Sequence, residues 1–172
     1  MAGDRGPTDS YRGAMSSDTD TPSSGFLPPR WVIRTAWKIH RAMYRWSRGR
    51  WGLRSSRPDR YGLAFLTTTG RRSGLERGVM IGYFEDDGRI VTMAMNGWGA
   101  PEPAWWLNLQ AHPEATLAMT GGVTVPVVGR RAEGTERDRW WDRWRELDQG
   151  LDGYAARRPS ETAVVVLEPR DA

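Results

Sequence analysis

Short apolar segments separated by turn residues, which begin at Tyr61, constrain the fold more than any other feature of the sequence. Two of them, GLAFLTTTG and RGVMIGYFED, flank a turn at residues 71–74. A second turn, at Asp86, Asp87 and Gly88, leads into RIVTMAM. Strand-like runs joined by connections this short are typical of antiparallel hairpins. The pattern therefore predicts a three-stranded meander.

The segments that follow predict a helix and a second hairpin. Pro103 opens the predicted helix PAWWLNLQA, and Pro113 follows its end. A hairpin is expected around Gly121 and Gly122. Pro126, in the second strand of this hairpin, indicates an edge strand or a bulge because proline cannot donate a ladder hydrogen bond.

A helix and a last strand complete the predicted domain. Thr135, followed by Asp138, is expected to cap a helix that buries Trp140, Trp144 and Leu147. TAVVVLEP then reads as a buried strand. Strands and helices do not alternate, which excludes a doubly wound sheet. The fold class predicted is α+β, mainly β: a closed or split β-barrel of about six strands with peripheral helices.

The first 60 residues differ from the rest in composition. Residues 1–29 are rich in Gly, Ser, Thr, Asp and Pro and are expected to form a disordered tail. Residues 30–60 hold ten basic residues and one acidic residue, and their spacing predicts a basic amphipathic helix and a linker. That helix could contact an anionic membrane surface, cover a charged cofactor or pack on its own domain. Residues 61–172 form the predicted barrel domain.

Charge and residue usage narrow the function classes. Residues 30–60 carry a net charge of +9 and the rest of the chain −5, so the overall charge of +4 does not predict specific nucleic-acid binding by the barrel. The chain has no cysteine and only two histidines, His40 and His112. A metal centre, a disulfide or a His-dependent triad is therefore not expected. With no apolar run of membrane-spanning length, we expect a cytoplasmic protein, peripheral on the inner face of the cell membrane if the basic helix binds lipid.

Two stretches carry candidate chemistry. In LTTTGRRSGLERG, residues 66–78, a glycine turn places backbone amides beside Arg71, Arg72 and Arg77, the donor set of an anion cradle. The alternative is a hairpin tip with solvated charges. In MNGWGAPEPAWWLNL, residues 95–109, glycines and tryptophans could hold a flat heterocycle. Asn108 needs a hydrogen-bond partner there if it is buried.

Three blocks, LTTTGRRSGLERG, NGWGAPEPAWWLNLQAHPEATL and AVVVLEP, resemble the deazaflavin (F420)-dependent nitroreductase family in order and spacing. The resemblance spans roughly residues 60–169 and implies a split-barrel, flavin-reductase-like fold. It also implies hydride transfer from reduced coenzyme F420 to a quinone, nitro compound or similar acceptor, without any cysteine or histidine. FMN is the less favoured cofactor, because it has no glutamate tail for the arginines. A non-catalytic protein that binds a hydrophobic ligand is another alternative.

The resemblance also implies roles for particular residues. The phosphate and acidic tail of F420 would lie at Arg71, Arg72, Ser73 and Arg77. The cofactor and its ring would meet Val79, Met80, Met95, Asn96, Gly97, Trp105 and Asn108. Tyr154 would lie on the substrate side as a catalytic proton donor.

Two departures from the family pattern bear on the acceptor. Relatives often carry lysine where this chain has Asn96, and several tyrosines where it has Leu151, Tyr154 and Arg157. Activity on nitroimidazoles is therefore not expected. Strand edges left exposed by a split barrel further predict a homodimer.

Overall fold

Six antiparallel strands close into a barrel in the computed structural model, which describes residues 52–96 and 101–170. The neighbours run β1-β2-β3-β6-β5-β4, and β4 pairs back to β1. The strands are β1 (Gly62–Thr69), β2 (Glu76–Asp86), β3 (Arg89–Met93), β4 (Glu114–Ala118), β5 (Thr124–Arg131) and β6 (Val164–Pro169). The predicted mainly β barrel with peripheral helices is confirmed, as is the β1-β2-β3 meander.

Within residues 52–96 and 101–170, three α-helices connect the strands. Helix α1 (Ala104–Ala111) lies between β3 and β4, while α2 (Gly134–Leu147) and α3 (Leu151–Ala155) lie between β5 and β6. A single 3-10 turn, Thr120–Gly122, joins β4 to β5. None of the helices in the two described ranges is long and apolar enough to cross a bilayer.

The barrel interior forms the larger of two apolar cores. Alternate residues of β1 point inward, so Ala64 and Leu66 are fully buried while their neighbours are partly exposed. They pack with apolar residues from β2, β4, β5 and β6 and with Trp105, Trp106 and Leu109 of α1. Helix α1 is therefore part of the core and its position is fixed by it.

The second core lies between the outer face of the sheet and α2. Trp140 and Trp144 of α2 pack here with Phe84, Val91 and Leu151, as the helical spacing predicts. Strand β6 serves both cores: Val164 and Val166 pack under α2, and Val165 and Leu167 point into the barrel. A strand buried on both faces explains the uninterrupted apolar run in the closing segment.

Three predictions about local structure are wrong. Thr135 does not cap α2, because the helix already begins at Gly134 and no side chain caps it. The helix therefore begins two residues earlier than a Thr135 cap would allow, and its first residue, Gly134, has φ +54°, a left-handed conformation that glycine adopts readily. Strand β5 is not an edge strand, and the barrel that these strands close leaves none of them exposed as an edge.

Pro126 is accommodated at the end of the pairing between β5 and β6. The last paired residues are Val127 and Pro169, and the Pro126 carbonyl accepts a bond from the Arg170 amide at 2.9 Å. The proline nitrogen has no hydrogen to donate in return. Pairing with β6 therefore ends at this point without an edge or a bulge.

The segment before the barrel folds onto its first strand. Arg54 and Leu63 exchange two backbone hydrogen bonds of 3.0 and 2.7 Å. The Arg54 guanidinium also donates to the Tyr61 carbonyl at 3.0 Å and lies 5.4 Å from the centre of the Tyr61 ring. The predicted tail and the predicted basic helix lie outside the described residues, which include only residues 52–60 of the predicted linker.

Arg130 joins α2 to the sheet. Its guanidinium donates to both Glu136 carboxylate oxygens at 2.6 and 2.8 Å and to Glu168 Oε1 at 3.0 Å. The hydrogen bonds from Arg130 lower the pKa of the Glu136 carboxyl below its usual value. A carboxyl whose pKa is lower in the folded state than in the unfolded state stabilises the fold only while it is ionised.

We expect Glu136→Gln to lower the free energy of unfolding at pH 7 by about 1 kcal/mol or less, the range of partly exposed ion pairs. This difference in the free energy of unfolding should be complete at pH values above the pKa that the Glu136 carboxyl has in the unfolded chain. It should disappear as the pH falls through the lower pKa that this carboxyl has in the folded protein. Urea unfolding at a series of pH values measures it, with Asp142→Asn, an exposed residue on the same helix, as the control. A difference that grows in acid would contradict the assignment.

Candidate active site

A long cavity of about 1040 Å³ follows β2. It runs beside β2 from Arg77 to Gly82, a length of about 17 Å at about 3.3 Å per residue. The turn between β1 and β2 forms one end, which we call the arginine end, with Arg71, Arg72, Ser73 and Arg77. The other, which we call the aromatic end, has Tyr61, Gly82, Trp144, Asp148 and Tyr154. The end of β3 and the first residues of α1 form the wall between them.

The arginine end presents guanidinium groups without carboxylate partners. None of Arg71, Arg72 and Arg77 makes a salt bridge to an acid among the described residues, whereas nine other described arginines do. Arg77 donates a long bond of 3.4 Å to Ser73 Oγ. Positive charge with unused donors is therefore concentrated at one end of the cavity, where an anion would find bidentate partners.

The turn that carries these arginines has a defined shape. The Gly70 amide bonds the Leu75 carbonyl at 2.8 Å, and the Gly74 amide bonds the Gly70 carbonyl at 2.8 Å. Gly74 has φ +67°, which a residue with a side chain would adopt only at a cost in strain. The turn is thus closed by its own backbone, while its arginine side chains remain exposed.

Asn108 anchors this turn to α1. The side chain is buried, and its Oδ1 accepts from the Arg71 amide at 3.2 Å and from the Arg71 guanidinium at 3.4 Å. Its Nδ2 donates to Thr68 Oγ1 at 3.1 Å, and that hydroxyl donates to the Arg77 carbonyl at 3.3 Å. The predicted need for a partner is thereby met, and one amide group fixes both sides of the arginine turn.

The middle of the cavity is largely apolar. Val79, Met80, Met95, Asn96 and Trp105 all line it, as the sequence-based site predicted. Met80 and Trp105 are buried, and Trp105 packs edge-on against Trp106 with ring centres 6.4 Å apart. Gly97 lies outside the described residues. Apolar walls here provide a dry surface against which a planar ring can lie.

Aromatic rings enclose the other end of the cavity. Tyr61 and Trp144 lie with ring centres 5.8 Å apart, and Gly82 lies beneath them. Tyr154 of α3 forms part of the wall. Asp148 lines the same end and accepts a bond from the Gly150 amide at 3.0 Å. The cavity therefore combines a cationic end with an aromatic end, and the predicted residues in the described ranges all contribute to it.

Comparison with known proteins identifies the family of the chain. A family model described as F420H(2)-dependent quinone reductase matches residues 36–169. The chain belongs to this family. It is an F420-dependent reductase, and its cofactor is coenzyme F420. The family membership indicated by the three sequence blocks is confirmed.

Solved structures resemble the same domain. An F420-H2 dependent reductase, FDR-A, is 28% identical over 68% of this chain and 100% of its own, with a TM-score of 0.56. A structure described as a domain-swapped dimer is 26% identical over 83% of this chain and 100% of its own, with a TM-score of 0.59. A heme binding protein from Mycobacterium smegmatis, at 19% identity over 65% of this chain and 47% of its own and a TM-score of 0.50, shares the fold alone.

Sequence reasoning missed most of the aromatic end of this F420-dependent reductase. Tyr61 and Gly82 had no assigned role, and Trp144 was expected only as a core residue. The strand register contained a signal: Leu63 pairs with Gly82, which brings the start of β1 beside the cavity. Asp148 had no comparable signal, because its position depends on how α2 packs.

An ion pair between a buried arginine and a partly exposed glutamate connects two walls of the cavity. The Arg158 side chain is completely buried and donates to Glu102 Oε1 at 3.2 Å, and Ser160 Oγ donates to the same oxygen at 3.1 Å. Glu102 precedes α1, and Arg158 follows α3. The pair therefore fixes the first residues of α1 relative to the segment that carries Tyr154.

We expect Asn108→Ala to lower the free energy of unfolding by about 2 kcal/mol, because it leaves the Thr68 hydroxyl and the Arg71 amide without their partner. Denaturant unfolding measures the loss. Gln110→Ala, an exposed change on the same helix, is the control and should alter stability by less than about 0.5 kcal/mol. Equal stabilities of the two variants would show that the anchor contributes nothing.

Proposed function

We propose that the protein reduces a quinone with F420H2 in this cavity, the cofactor's phosphate and acidic tail lying at the arginine end and the acceptor at the aromatic end. The observation that carries the proposal is the contrast between the two ends. Arginines without carboxylate partners lie at one end and aromatic rings at the other. A cofactor with a charged tail and an acceptor with a planar ring require that combination.

The donor set of the arginine end fits the cofactor tail. Several negative charges need several donors, and Arg71, Arg72 and Arg77 provide guanidinium groups with the Ser73 hydroxyl beside them. Through Asn108, the turn is held in one position before any ligand arrives. A site whose backbone is already ordered loses less entropy on binding.

The apolar middle of the cavity fits the ring. Val79, Met80 and Met95 offer no competing proton donor, and Trp105 supplies a broad aromatic surface. When bound, the reduced deazaflavin supplies the hydride. The chain's own contribution is to orient the two reactants and to exclude water from the space between them.

Tyr154 is the proposed proton donor to the acceptor. A quinone that receives a hydride needs one proton to become the hydroquinone, and Tyr154 carries a hydroxyl at the aromatic end. Its phenolate would regain a proton from water. The quinone is favoured over a nitro compound because the family description names it.

Two interactions beyond the cavity complete the proposal. Homodimer formation is supported by the similar structure described as a domain-swapped dimer. Peripheral membrane contact through residues 31–48 rests on their basic amphipathic pattern and would bring the protein close to lipid-soluble quinones. Flotation of the full-length chain with anionic vesicles, beside a chain that begins at Tyr61, tests this contact.

The reaction is tested by mixing the full-length protein with F420H2 and menadione and following the return of the oxidised deazaflavin absorbance. Turnover should be quinone-dependent, and Tyr154→Phe should lower kcat by at least about 100-fold, the lower range for general acid catalysis, while the dissociation constant of F420 stays unchanged. Cofactor binding without quinone reduction would exclude this acceptor. An unchanged kcat would remove Tyr154 from proton transfer.

Arg72→Ala and Arg77→Ala are each expected to weaken F420 binding by about 1 to 3 kcal/mol, the scale of one charge-assisted contact. Tryptophan fluorescence quenching measures the dissociation constant. The loss should shrink as salt is raised, because partly exposed charges are screened. Arg57→Ala, an exposed arginine that does not line the cavity, is the matched control. Losses of equal size in all three variants would mean that only net charge matters.

A further inference from the structure

Tyr154 packs against a glycine one helical turn before it. A Cβ built on Gly150 would lie 2.9 Å from the Cε2, Cζ and Oη atoms of Tyr154. Carbon atoms that do not share a bond are favourable only at about 3.5 to 4.0 Å, so the tyrosine ring occupies the space that a side chain at residue 150 would need.

The backbone at Gly150 is held in place. Its amide donates to Asp148 Oδ1 at 3.0 Å, and its carbonyl accepts from the Tyr154 amide at 3.1 Å. Leu151, the next residue, is buried in the core beneath α2. The glycine therefore cannot withdraw easily, and a Cβ there would displace the Tyr154 ring instead.

Displacement of the ring has a defined direction. Tyr154 lines the cavity and Gly150 does not, so the ring lies between the glycine and the cavity. Across the same end, a Cβ on Gly82 would lie 3.3 Å from Tyr61 Cδ2 and 3.7 Å from Trp144 Cη2, so these rings also crowd the glycine beneath them. A ring pushed away from Gly150 would narrow a space that is already bounded by aromatic groups.

We infer that Gly150 is a specificity-determining residue, which acts through Tyr154 to keep the aromatic end wide enough for a planar acceptor with two fused rings. It is a positioning residue and does not touch the acceptor itself. The inference rests on the proposed function, because it takes the aromatic end to be the acceptor site.

The variant that tests this inference is Gly150→Ala. Gly150 has φ −82° and ψ −7°, a right-handed conformation that alanine adopts without strain, so the change adds one methyl group and little else. Gly153→Ala is the matched control, because a Cβ at Gly153 would meet nothing within 4 Å. Tyr154→Ala and the Gly150→Ala/Tyr154→Ala double variant complete a double-mutant cycle.

Calorimetric titration of each variant, loaded with oxidised F420, measures acceptor binding without turnover. In Gly150→Ala, the dissociation constant of menadione, with two fused rings, should rise by roughly 10-fold, the lower range for one methyl group in an apolar pocket. The dissociation constant of benzoquinone, which has one ring, should change by less than about twofold in Gly150→Ala. In Gly153→Ala, the dissociation constants of both quinones should stay unchanged. In the Tyr154→Ala background the added methyl group should have no further effect.

Three results would overturn the inference: equal losses for the two quinones, no loss in Gly150→Ala, or a loss that persists without the Tyr154 ring. If Gly150→Ala fails to fold, Tyr154→Trp must show the same discrimination against menadione, because it narrows the same end without a change at residue 150. The outcomes separate from those of the proposed function. If Gly150→Ala discriminates between the two quinones in binding but the wild-type protein does not oxidise F420H2, only the proposed reaction is contradicted. If the wild-type protein reduces the quinone but Gly150→Ala does not discriminate between the two quinones, only the role of Gly150 is contradicted.

Discussion

The pairing of β6 between β3 and β5 is the constraint on which the rest of the molecule depends. This strand returns from the end of the chain, closes the barrel and is buried on both faces. Val165 and Leu167 complete the interior that supports α1, whereas Val164 and Val166 form the surface on which α2 packs. Both walls of the active site are therefore positioned by one strand that contributes no residue to it.

Short sequence patterns predicted the elements whose structure depends on residues that are neighbours in the chain. Alternation in β1, glycine turns and helical tryptophan spacing identified the meander, α1, α2 and the closing strand, but not α3, and the three sequence blocks identified the family. The Thr135 cap failed because the helix begins at Gly134, before the threonine, and no side chain caps it. The edge assigned to Pro126 failed because β6, which pairs beside it, comes from far along the chain. Tyr61, Trp144 and Asp148 come together only through the pairing register of β1 and β2 and the packing of α2. A short stretch of sequence contains information on neither.

Arginine has two separate uses in this chain. On the barrel surface and on α2, arginines pair with carboxylates, as Arg130 does with Glu136 and Glu168. In the turn between β1 and β2 they have no such partners, and the buried Asn108 amide holds the backbone that carries them. The abundance of arginine in the sequence therefore carries little information. What distinguishes the arginine end is that its arginines have no carboxylate partner among the described residues.

The two ends of the cavity belong to different parts of the chain. The arginine end comes from the β1–β2 hairpin, anchored to α1, whereas the aromatic end adds Trp144, Asp148 and Tyr154 of the segment between β5 and β6 to Tyr61 and Gly82. Beyond the barrel, the Arg158–Glu102 pair connects the segment after α3 to the start of α1. A protein built in this way can exchange one half of its chemistry while it retains the other. With the acceptor at the aromatic end, as proposed, substitutions in the β5–β6 segment would diversify the electron acceptors of a lineage whose dependence on a single reductant stays unchanged.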